Sequence, residues 1–159
     1  MSDYTKITSE IINRLGGVRD IGQVHDYARY AFRPEDLKDI FLDNEHGDIR
    51  CWYIDRVSVT DTQSSNTTNT VVHRFKLTGF LSVQDTKRSG VEFQEIIDRI
   101  RDAFTPQTNL SDTRPDADVC ELTRPIQFEN IGFAILKGDK DYPCHWCEAF
   151  LEVQTYTTS

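Results

Sequence analysis

Hydrophobic and polar residues alternate through the middle of this chain with a period of two. Val71, His73, Phe75, Leu77, Gly79, Leu81 and Val83 interleave with Val72, Arg74, Lys76, Thr78, Phe80, Ser82 and Gln84. A strand puts the first, mostly apolar set on one face and the second on the other. Asp85, Thr86, Lys87 and Arg88 form a turn. Phe93, Ile96, Ile97, Ile100 and Phe104 then recur at helical spacing. Ser89 and Glu92 stand where a capping box would start that helix.

The flanking segments follow the same two periods. Ile7, Ile11, Ile12 and Leu15 share one face of a helix over Tyr4 to Leu15. Gly16-Gly17 should end it by taking the left-handed conformation. Residues 22–27 form a short strand or an ordered connection. Pro34 suits the first turn of a short helix through Leu42, with Leu37, Ile40 and Phe41 as its contacts. A turn over Asn44 to Asp48 leads to a long strand from Ile49 to Thr60, apolar on both faces at its start. Asp61 to Thr70 has no apolar side chain, so it is expected to be a mobile hairpin loop. Thr105 to Pro115, with Pro106, is a polar connection. Strand material is expected at Val119 to Leu122 and at Ile126 to Leu136, broken near Pro125 and again at Asn130 to Gly132. After a turn at Gly138 to Pro143, the last strand runs from Cys144 to Tyr156. Cys147, Ala149, Leu151 and Val153 share one of its faces; Trp146, Glu148, Phe150, Glu152 and Gln154 share the other. The pattern predicts an α+β fold, an antiparallel or mixed sheet with an N-terminal helix and a central amphipathic helix packed on it.

Composition adds bounds. At 159 residues, 38% hydrophobic and 28% charged, the chain suits a single domain over residues 1–159 that needs no staples. No apolar run approaches the roughly 20 residues of a membrane helix. Met1 to Lys6 lacks the features of a signal peptide, which points to a reducing cytoplasm. The net charge of −8 lacks the basic footprint of a protein that grips phosphates.

Candidate chemistry is sparse. Cys144-His145-Trp146-Cys147 could be a redox pair or half a zinc site. However, Cys51 and Cys120 supply no second pair, and positions 144 and 147 point to opposite faces of a continuous strand. Structural cysteines are the favoured reading, a small intracellular redox or zinc protein the alternative. His25, His46, His73 and His145 have no partners in a nucleophile motif, and His73 reads as a core histidine. The chain is read as no enzyme, with no catalytic, cofactor or metal residues. Two surfaces stand out. Trp146 and Phe150 share a strand face with two glutamates, and that face meets either a covering helix or another subunit. Gln63, Ser64, Ser65, Asn66, Thr67, Thr68 and Asn69 form the polar stretch expected to contact a partner.

The order of elements carries a resemblance. A helix with Ile11, Ile12 and Leu15 precedes a glycine turn and Gln23-Val24-His25-Asp26-Tyr27. Strands around Cys51-Trp52-Tyr53-Ile54 and His73 to Phe80, the helix Val91 to Phe104, and the strand Ala149 to Val153 follow. This arrangement resembles the tail terminator (tail completion) proteins of long-tailed bacteriophages and their prophages. The resemblance implies a homohexameric ring at the head-proximal end of the virion tail, assembled in the host cytoplasm. Such a ring caps the tube of major tail protein and joins it to the head-side connector. DNA passes through without tight binding, and no membrane is involved. Another head–tail connector or neck protein is the neighbouring reading.

Overall fold

The computed structural model describes residues 3–31, 33–63, 68–105 and 120–158. Three helices, α1 (Asp3–Gly16), α2 (Asp36–Phe41) and α3 (Ser89–Ala103), accompany seven strands among these residues. The strands are β1 (Gln23–His25), β2 (Leu42–Asp43), β3 (Asp48–Gln63), β4 (Thr68–Ser82), β5 (Cys120–Leu122), β6 (Gln127–Lys137) and β7 (Asp141–Thr158). The sheet order is β1-β3-β4-β7-β5, with β2 also on β3 and β6 also on β7. β1 runs parallel to β3 and every other pairing is antiparallel, so the sheet is mixed. The fold is α+β.

The alternation in β4 does what its period dictates. Phe75, Leu77 and Leu81 join Trp52, Ile54, Cys147, Ala149, Leu151 and Val153 in the main core. α1 contributes Ile7, Ile11 and Leu15, and α3 contributes Phe93, Ile96, Ile97 and Ile100, with Phe104 just beyond its end. Burying those five α3-side residues stabilises the fold by roughly 10 kcal/mol before ordering entropy is charged. Among the described residues the opposite face is covered only at one end. There Leu37, Ile40 and Phe41 of α2 pack on Cys51, Phe80 and Cys144 in a second cluster. The double covering expected at the start of β3 is therefore present: Cys51 faces α2 and Trp52 faces α1 and α3.

Several local expectations are corrected. Asp61 to Thr70 is not a loop in its described parts. Thr62 pairs with Thr70 and Gln63 with Asn69, while Thr68 pairs with Thr158 of β7. Neighbouring strands supply the hydrogen bonds that burial could not, and threonine tolerates the extended backbone. Ser64, Ser65, Asn66 and Thr67 lie outside the described residues, as do 106–119, which hold most of the connection from Thr105 to Pro115 and Val119. The capping box is absent: Arg88, at φ +56°, precedes α3, and the Ser89 hydroxyl accepts the Gln84 N–H instead. Gly16 remains helical, and the left-handed glycines are Gly22 and Gly47. α2 starts at Asp36, two residues after Pro34. β6 is continuous across Asn130 to Gly132 because a bulge between Glu129 and Gly132, with Asn130 at φ +55°, absorbs the irregularity.

Candidate functional site

Buried polar groups come first, because they bear on whether the fold hides chemistry. His145 and Ser89 meet at 2.9 Å between Nε2 and Oγ, both buried. No carboxylate orients the imidazole among the described residues, and Phe93 and Phe133 flank the ring instead. His73, the predicted core histidine, is buried against Thr155 Oγ1 at 3.1 Å. His25 Nε2 lies 2.8 Å from the Ile40 carbonyl and ties β1 to α2. His46 lies between the carboxylates of Asp43 and Asp20.

These histidines give stability a definite pH dependence. Burial depresses the imidazole pKa of His73 and of His145 below the ordinary 6.5. Their neutral forms therefore stabilise the fold above that value, and the contribution is lost as pH falls below it. A hydrogen bond to the Asp43 carboxylate, with a second to Asp20, raises the pKa of His46. Its contribution has the opposite sign, present below 6.5 and lost as pH rises through the raised value. Below about pH 6.5, where the His46 contribution is already complete, the loss from the two buried rings makes stability fall. A His73→Asn/His145→Asn variant should show a flatter urea midpoint across that window, and an unchanged slope would refute the assignment.

Cys144 and Cys147 do not converge. Cys144 belongs to the α2 cluster and Cys147 to the main core, on opposite faces of β7. Burial pushes the thiols of Cys51, Cys144 and Cys147 up to about 12, so they carry no thiolate at neutral pH. Two sulfurs on opposite faces of one strand cannot share a metal ion. Among the described residues no three His, Cys, Asp or Glu side chains gather in a metal-holding group.

Interaction surfaces are better developed. Trp146 and Phe150 lie on one face of β7, as the spacing predicts, opposite Phe80 and Lys76 of β4. Both are half-buried, and their surroundings differ. Trp146 packs at the margin of the α2 cluster, so a helix covers that end of the face. Phe150 lies beyond it under the Arg74 guanidinium, 4.3 Å from the ring centroid. Around Phe150 the face is an open lattice of charge, with Lys76 3.4 Å from Glu148 and Arg124 against Glu152. Hydrogen bonds from Thr123 and then Arg124 hold the Glu152 carboxyl below the usual range.

A second surface is the end of the sheet carrying the polar stretch. Residues 56–63 of β3 are exposed along their whole length, including Val57 and Val59. β4 and β7 continue beside them to Thr68 and Thr158, so the three strands extend together at this end of the sheet. Gln63 and Asn69 face each other at its end.

Sequence reasoning missed the third surface. Ile131, Phe133 and Ile135 of β6 are exposed, Phe133 by 74%. Among the described residues β6 pairs only with β7, leaving its outer edge open. The signal was present as alternation in Ile131-Gly132-Phe133-Ala134-Ile135, but alternation does not reveal whether the apolar side meets a core. No helix among the described residues is long and apolar enough to cross a membrane. No model of a known protein family matches this chain, and no curated protein matches it significantly.

Proposed function

We propose that this chain is a structural assembly protein, a tail terminator of a long-tailed phage or prophage. It would act without catalysis, as a homohexameric ring that caps the tube of major tail protein and meets the head-side connector. The observation that carries this reading is the three-stranded extension ending at Gln63 and Asn69. A polar sheet end with no helix against it among the described residues is suited to laying backbone and amide hydrogen bonds onto the rim of a repeating tube. The resemblance of the element order in the sequence to that of the tail terminators adds support. So does the net charge of −8, which would let DNA slide past without being held. The alternative built on Cys144 and Cys147 loses its basis, since the two thiols share no site.

The test is to close the extension early. Joining Thr62 to Thr70 by an Asn-Gly turn preserves their pairing and removes residues 63–69. The variant should fold with nearly unchanged thermal stability, because the described side chains it removes, Gln63 and Asn69, are exposed. It should fail in complementation, giving tails of irregular length by electron microscopy. Normal tails would move the contact elsewhere.

A further inference from the structure

We propose that two copies of this chain pair through β6, antiparallel about a twofold axis that passes beside Phe133. Edge strands usually protect their open hydrogen-bonding groups with charges, prolines or bulges. β6 has its bulge at Asn130 and Ile131, at one end of the apolar run, and nothing of the kind from Gly132 to Ile135. Along that run Ile131 (46%), Phe133 (74%) and Ile135 (57%) are exposed at alternate positions. Three large apolar side chains in line on an open edge mark a contact rather than scatter.

The identity of the occupant follows from the symmetry of the run. Ile-Gly-Phe-Ala-Ile is palindromic in size and polarity about Phe133. A twofold antiparallel pairing sets Phe133 against Phe133 of the partner subunit, and Ile131 against Ile135 of the partner subunit. Gly132 then meets Ala134 of the partner subunit, so small residues oppose small ones. The charges outside the run choose the direction. Antiparallel pairing brings Glu129 to the end where Lys137 of the partner subunit lies, whereas parallel pairing would bring like charges together. Lys137 also meets Asp141 across its own hairpin, at 3.0 Å, which keeps it near that end. Segment 106–119, outside the described residues, is a poor match for the stripe. Its apolar residues are few and mostly small: Leu110 stands alone, and only Ala117 and Val119 alternate, with no large side chain to match Phe133.

Strand addition of this kind takes affinity from main-chain hydrogen bonds and specificity from alternate side chains. It is isologous, whereas a closed ring needs a heterologous contact. The pairing is thus a separate surface and stands whether or not the tail reading holds.

Sedimentation of the full chain over a range of concentrations tests it. The wild type should show a reversible pairing step. Phe133→Glu, which sets two like charges on the axis, should weaken that step by about thirtyfold or more, the scale of a hot-spot residue. Should circular dichroism show Phe133→Glu misfolded, Ile135→Lys serves instead. Phe133→Cys in a Cys120→Ser background should form a disulfide-linked dimer on oxidation, and Ile135→Cys alone should not, because its opposite residue is Ile131. A wild type without a pairing step, pairing unchanged by a folded charge variant, or no cross-link at position 133 would each overturn the proposal.

Discussion

Replacing Gly79 with alanine will lower the unfolding free energy by about 3 kcal/mol, the upper end of the cost of overpacking a core. Gly79 lies opposite Trp52 in the β3–β4 register, and the indole lies across it. A Cβ at position 79 would be 2.6 Å from Trp52 Cε3 and closer still to Cζ3 and Cη2. The indole cannot give way easily. It is 1% exposed and stacked on Phe93 of α3 at 6.1 Å with an interplanar angle of 20°. The clash would therefore pass from the sheet to α3. In a Trp52→Leu background the same glycine substitution should cost less than about 1 kcal/mol, a coupling that a double-mutant cycle in urea would measure. Equal costs in both backgrounds would show that the strain lies elsewhere.

Arg50→Met should cost a similar amount, about 3–5 kcal/mol, by leaving a charge network without its centre. The Arg50 side chain is 3% exposed and points into the main-core side of β3. Its guanidinium donates to both oxygens of Asp48, each at 3.1 Å, and to the Asp20 carbonyl at 2.9 Å. It also meets Glu92 of α3 at 2.7 Å. One side chain thus joins β3, the connection after α1, and the first turn of α3. Gly22, at φ +82°, lies so close that a Cβ there would be 2.8 Å from Arg50 Cβ and would overlap its carbonyl. Removing the cation alone strands Asp48, whereas removing the whole network does not. The triple variant Arg50→Met/Asp48→Asn/Glu92→Gln should accordingly be more stable than Arg50→Met by chemical denaturation. The reverse order would refute the network.

What could be read from the sequence divides by range. The cores of β4 and β7 and the buried faces of α1 and α3 follow from local periodicity, since each repeats one apolar face. The placement of Trp146 and Phe150 on one strand face was legible for the same reason. The extension at Asp61 to Thr70 was not, because its strand character comes from pairing with β7 as far as Thr158. Ser89 matched a capping motif, yet its hydroxyl serves Gln84 and His145, which only the tertiary fold brings near. The parallel pairing of β1 and the edge position of β6 are properties of topology. No single-strand pattern encodes them, which is why Phe133 was not singled out.

The length of tail tubes tests the proposed capping role. Major tail protein of a long-tailed phage is polymerised in vitro, with and without the purified protein. Tube lengths are then read by electron microscopy. The reading advanced here predicts that added protein stops growth and appears as a six-subunit ring at one end of each tube. Tubes of undiminished length with bare ends would contradict it.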